Sequence, residues 1–158
     1  MRKVMGILCA VIIMCISICP LNVDAQSQGP RWTANSGNTW TYTDGQATDL
    51  TAKIMNDTLY ITGTGAVPAY SRECLGNRPW HTSTVTSIVI YNGITSVGAE
   101  AFSNMKTVRQ VTIPVNVYVE DATAFAGLSE ECEFFIQGMD IVSKDIGKIP
   151  FNTLDSMV

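Results

Sequence analysis

Residues 85–107, VTSIVIYNGITSVGAEAFSNMKT, lie over residues 108–130, VRQVTIPVNVYVEDATAFAGLSE, at an offset of 23 and without a gap. Val85 falls on Val108, Ile88 on Val111, Ile90 on Ile113 and Ile94 on Val117. Ala101 falls on Ala124, Phe102 on Phe125 and Met105 on Leu128. Self-similarity at a fixed period of about 20–50 residues is the signature of stacked repeats. A third copy starts at Glu131, where Phe134 and Ile136 continue the column. It then decays, with Gly147 and Lys148 where the Ala-Phe pair should stand. Decay at one end suits a terminal repeat, which has a neighbour on one side only.

Within each copy a short strand is predicted, because apolar residues recur at every second position. Ile88 and Ile90, Val111 and Ile113, and Phe134 and Ile136 then point inward. A turn follows, at Asn92-Gly93 in the first copy, and a second apolar pair and the Ala-Phe segment fold back beneath the strand. One such unit cannot cover its own apolar side, so the copies must stack. The same alternation turns Ser87, Val89 and Tyr91 outward in copy one, Gln110 and Thr112 in copy two, and Glu133, Phe135 and Gln137 in copy three. Val89, Thr112 and Phe135 are expected to line up across the sheet. This outward face is the candidate partner-binding surface, since solenoid sheets commonly dock partners. Its alternative is an ordinary sheet surface with scattered apolar residues.

Ahead of the repeats, Thr39–Thr43 (TWTYT) alternates like a strand. Leu50–Met55 and Thr58–Gly63 read as a hairpin turning at Asn56-Asp57. Residues 63–80 (GTGAVPAYSRECLGNRPW) read as an irregular loop pinned to the core by Tyr70 and Trp80. The expected organisation is a signal peptide at 1–25, a polar lead-in at 26–38, and an N-terminal β cap with its anchoring loop at 39–84. The repeat region follows at 85–158, divided into 85–107, 108–130 and a degenerate 131–153. The fold class is mainly β: a short leucine-rich-repeat-like solenoid with an N-terminal β-hairpin cap.

These residues resemble the BspA-type bacterial leucine-rich repeat family, whose repeats pair an Ile-Pro strand end with an Ala-Phe segment. Val111-Thr112-Ile113-Pro114 and Ala124-Phe125-Ala126-Gly127 carry the likeness in one copy. Ile88-Val89-Ile90, Gly93–Gly98 and Ala101-Phe102 carry it in the other. Residues 59–68 (LYITGTGAVP) and Pro79-Trp80 are similar to the family's lead-in. The likeness covers roughly residues 39–137. Met105 and Leu128 stand where the family often has Cys, and the array is short. The resemblance implies a secreted or surface protein that binds a protein or glycoprotein partner, and it implies no catalysis.

The N-terminus supports export. Arg2 and Lys3 precede an apolar stretch of 16 residues from Val4 to Cys19, and Pro20 and Val23-Asp24-Ala25 supply a break and a small-residue cleavage pattern. A spanning helix needs about 20 apolar residues, so a cleaved signal is expected, with no membrane span afterwards. Met14 before Cys15 and Ile18 before Cys19 lack the small residue of a lipoprotein signal. The mature chain keeps Cys74 and Cys132, which an oxidising compartment would allow to pair. Two separate thiols are the alternative.

The formal charge is −4, and becomes −5 once the first 25 residues take two basic residues and one acidic residue with them. That balance lacks the clustered Lys and Arg that nucleic-acid binding needs. Eight carboxylates follow residue 119 against two lysines. They read as a solvated edge, with a cation site or an electronegative docking face as the alternative. No catalytic set emerges. His81 is the single histidine, Cys74 lies seven residues before it, and no third group is indicated for a Cys-His pair. One His and two distant Cys make a poor zinc set. Gly63-Thr64-Gly65 is followed by Pro68 rather than a helix, which argues against a phosphate loop. Glu120-Asp121 and Glu130-Glu131 are adjacent pairs whose side chains diverge on an extended chain. No cofactor or metal is expected. A self-associating structural module, a hydrolase and an inhibitor are the remaining alternatives.

Overall fold

The computed structural model describes residues 29–138 and 141–143, the last three by backbone alone. The signal segment, the site of the degenerate Ala-Phe pair and residues 149–158 lie outside the described residues. Ten strands lie among the described residues: β1 (Thr33–Ala34), β2 (Thr39–Thr43), β3 (Asp49–Met55), β4 (Thr58–Val67), β5 (Ser87–Ile90), β6 (Ile94–Val97), β7 (Gln110–Pro114), β8 (Tyr118–Val119), β9 (Glu133–Gln137) and β10 (Ile141–Ser143). The main sheet runs β1-β2-β3-β4-β5-β7-β9-β10. It is antiparallel from β1 to β4, parallel from β4 through β9, and antiparallel again at β10. A smaller parallel sheet is made by the end of β4 with β6 and β8.

The repeat is a physical one. Leu59, Ile88, Val111 and Phe134 pair in register across four parallel strands, and all are buried. Ile61 pairs with Ile90 and Ile113 with Ile136, forming a second buried rung. Beneath them the rings of Trp80, Phe102 and Phe125 stack, with centroids 5.4 and 5.3 Å apart and planes 27° and 22° from parallel. Trp32 closes one end of this column edge-on at 5.3 Å, and Phe134 closes the other at 5.5 Å. Backbone bonds tie each level to the next. Arg109 N donates to Thr86 O, Glu133 N to Arg109 O, and Phe102 N to Ala124 O.

The hairpin does more than cap the stack. Asn56 (φ 48°) and Asp57 (φ 57°) make its tight turn with both central residues left-handed, the geometry that matches strand twist. Its second strand, β4, is the first rung of the parallel array. The single repeat offset conceals this, because Leu59 and Ile88 are 29 residues apart rather than 23.

Four expectations need correction. Residues 63–80 are not one loop: β4 continues to Val67, and a 3₁₀ helix spans Arg72–Asn77. Gly63-Thr64-Gly65 is the corner at which β4 passes from the large sheet to the small one. Gly63 (φ 111°) lies against the Asp49 carbonyl and Gly93 (φ 104°) against the Gly63 carbonyl, where any Cβ would collide. The lead-in at 26–38 contains strand β1, and Trp32 packs on Tyr42 at 5.4 Å as well as on Trp80. The offset of 23 holds at Ile94 and Val117, both buried and each with its N–H on the carbonyl three residues back, and slips by one residue after them in the small sheet. Ser96 pairs there with Tyr118 and Val97 with Val119, an offset of 22, before Phe102 meets Phe125 at 23. Finally, after β9 the third copy turns back as antiparallel β10 instead of laying down a second apolar pair.

Candidate binding face

The eight residues predicted to face outward do share one side of the main sheet. Ser87, Gln110 and Glu133 are in register along its start. Val89, Thr112 and Phe135 form the next row, and Gln137 pairs with Pro114 in the row beyond. Tyr91 follows β5 and is 45% exposed. Val89, Thr112 and Phe135 are half-buried. The support beneath is rigid, because every second residue of these strands belongs to the buried rungs described above.

The row is longer than the repeat alone implies. Through the hairpin register it extends to Thr39, Lys53 and Tyr60, giving Thr39·Lys53·Tyr60·Val89·Thr112·Phe135 across six strands. Tyr60 approaches Tyr91 with ring centroids 6.3 Å apart. Taking the hairpin as a separate cap leaves Tyr60 and Lys53 off this face. The signal was there: Leu59 and Ile61 are apolar and inward, so Tyr60 between them must face out.

The face carries few charges and no constellation of reactive groups. Among the described residues no three His, Cys, Asp or Glu side chains gather to hold a metal. No helix among them is long and apolar enough to cross a membrane. His81 Nδ1 faces the Arg78 guanidinium at 3.5 Å. Cys74 and Cys132 are both thiols. Burial, with Glu133 adding to it, pushes the Cys132 thiol up to about 11. Burial also raises the Tyr70 phenol well above its ordinary value, against the lowering effect of the bond it accepts from Trp32 Nε1 at 2.7 Å.

Both groups are neutral in the fold and ionise more readily once exposed. Their contribution to stability is complete below about pH 8.5, the ordinary thiol value, and is lost as pH rises towards the folded values. The denaturant midpoint is therefore expected to fall between pH 8.5 and about 11. Cys132→Ala should flatten the first part of that fall, as followed by urea titrations at stepped pH. An identical profile in the variant would exclude Cys132 as a cause.

The architecture now described is similar to that of a leucine-rich repeat protein from Eubacterium ventriosum, at 25% sequence identity and a TM-score of 0.51. The fold is of the leucine-rich-repeat type. The match covers 64% of this chain and 27% of that one, so the chain spans about a quarter of the neighbour's length. No family model matches the sequence, and no curated protein matches it. A repeat-based interaction module is consistent with this neighbour.

Proposed function

We propose that this chain is an exported repeat protein of the BspA type that binds a protein or glycoprotein partner through the outer face of its main sheet and catalyses no reaction. The observation that carries the reading is the row Tyr60·Val89·Thr112·Phe135, four neighbouring side chains on four hydrogen-bonded parallel strands. Aromatic and apolar side chains at the centre of a polar surface are the usual anchors of an interface. Here they are held by a packed core, so docking need not order them, which lowers the entropic cost of association. The predicted signal segment supports export, and the likeness of the Ile-Pro and Ala-Phe motifs supports the BspA type.

The test is a pull-down from host and bacterial surface extracts with residues 26–158, alongside a Val89→Glu/Phe135→Glu variant of the same chain. Two buried-edge charges in the row should abolish capture of any partner the parent retains, while circular dichroism and the thermal midpoint stay close to the parent's. Equal capture by a folded variant would remove this face from the account.

A further inference from the structure

A groove of about 330 Å³ lies on the other side of the hairpin, between its inner surface and residues 79–85. Trp40 and Ile54 alternate with the outward Thr39 and Lys53, so they face inward, and together with the buried Val85 they form an apolar floor. Asn38, Asp57 and Thr84 are exposed at its polar rim. The backbone oxygens of Asn38 and Asp57 are engaged, by Ile54 N at 3.0 Å and Thr86 N at 2.8 Å. Their side-chain amide and carboxylate have no partner among the described residues.

We propose that this groove binds one neutral pyranose ring, such as the end of a glycan chain. A pyranose has an apolar C–H face and a hydroxyl edge, and the groove offers the matching halves. The half-buried indole of Trp40 supplies a broad apolar surface. The Asp57 carboxylate accepts hydrogen bonds, and the Asn38 amide both donates and accepts, which suits neighbouring hydroxyls. The volume lies at the small end of the range for ligand sites, about 300–1,000 Å³, and fits one ring rather than several. Asp57 is the one ionisable group lining the groove, so a phosphorylated or carboxylated ligand would be repelled. The inference is independent of the outer face, which the groove does not include.

The mature chain is titrated with cellobiose, N,N′-diacetylchitobiose and mannobiose, with ethanolamine as a cationic control, by tryptophan fluorescence and saturation-transfer NMR. At least one disaccharide should saturate the protein in the millimolar range. Asp57→Asn should weaken it about tenfold, as loss of a hydrogen bond to a charged group does. Asparagine tolerates the left-handed backbone at this position (φ 57°), so the hairpin turn is kept. The Val89→Glu/Phe135→Glu variant should bind the sugar as the parent does. The proposal is overturned if no disaccharide saturates, if Asp57→Asn and Thr84→Val both bind at parental strength, or if ethanolamine alone binds in an Asp57-dependent way.

Discussion

Phe102→Ala is expected to lower the folding free energy by about 3–5 kcal/mol, the usual cost of deleting a buried phenyl ring. Phe102 has no solvent exposure and stacks between Trp80 on one side and Phe125 on the other. Its loss leaves a cavity in the middle of the column, where neither neighbour can collapse inward without leaving its own rung. Domains of this size hold about 5–15 kcal/mol in total, so the variant should unfold at a far lower urea concentration than the parent. The column also makes a claim about coupling. Phe102→Leu and Phe125→Leu together should show an interaction energy of about 0.5–1.5 kcal/mol in a double-mutant cycle, from the stacked pair beyond its area. Strict additivity would mean that the rings are merely buried near each other.

Legibility from sequence followed the regularity of the spacing. Residues 85–130 could be read because Ile88, Ile90, Ala101 and Phe102 recur at one interval, and each lands beside its equivalent in space. The small sheet could not be read to the residue. Ile94 to Val97 is a step of three where Val117 to Val119 is a step of two, so an ungapped alignment matches Ile94 to Val117 and then misplaces the rest of the strand by one. The first rung was hidden by the segment between Val67 and Trp80, which lengthens the interval from Leu59 to Ile88. Trp32 gave only one hint, a tryptophan in an otherwise polar stretch; tryptophans are mostly buried on average. What fixes it is Tyr70, 38 residues away, whose hydroxyl accepts the indole N–H. The outward face was legible because alternation requires only one correctly placed inward residue per strand. The groove was not, since Asn38, Asp57 and Thr84 come together only when the hairpin turn meets the start of the first repeat.

Arg78→Met is expected to cost about 3–5 kcal/mol, comparable to the phenylalanine although no large apolar surface is lost. Arg78 sits in the residues expected to be loop, yet it is 3% exposed. Its Nη1 donates to the carbonyls of Glu100 at 2.8 Å, Ser103 at 3.0 Å and Ala101 at 3.3 Å, and its Nε donates to Leu75 O at 3.1 Å. Burial disfavours its charge, and the neighbouring Glu100 carboxylate acts in the opposite sense. The guanidinium thus gathers the carbonyls of the Ala-Phe segment of copy one and joins that segment to the 3₁₀ helix Arg72–Asn77. Methionine can fill the space but leaves the Ser103 carbonyl without that donor and the Glu100 carbonyl with only the longer bonds from Ser103 N at 3.4 Å and Oγ at 3.3 Å, and an unsatisfied buried group costs about 1–3 kcal/mol. Ala101 O keeps the Trp80 Nε1 bond at 2.9 Å, so the loss should not reach the sum of all the contacts. Lysine brings a charge but no planar fork of donors, and Arg78→Lys should fall between the parent and Arg78→Met. Hydrogen exchange gives the local signature: the Phe102 and Asn104 amides, bonded to Ala124 O and Ala126 O, should lose protection before those of β7. If Arg78→Met stays within about 0.5 kcal/mol of the parent, these carbonyls are satisfied without it, and the first repeat is held by its aromatic column alone.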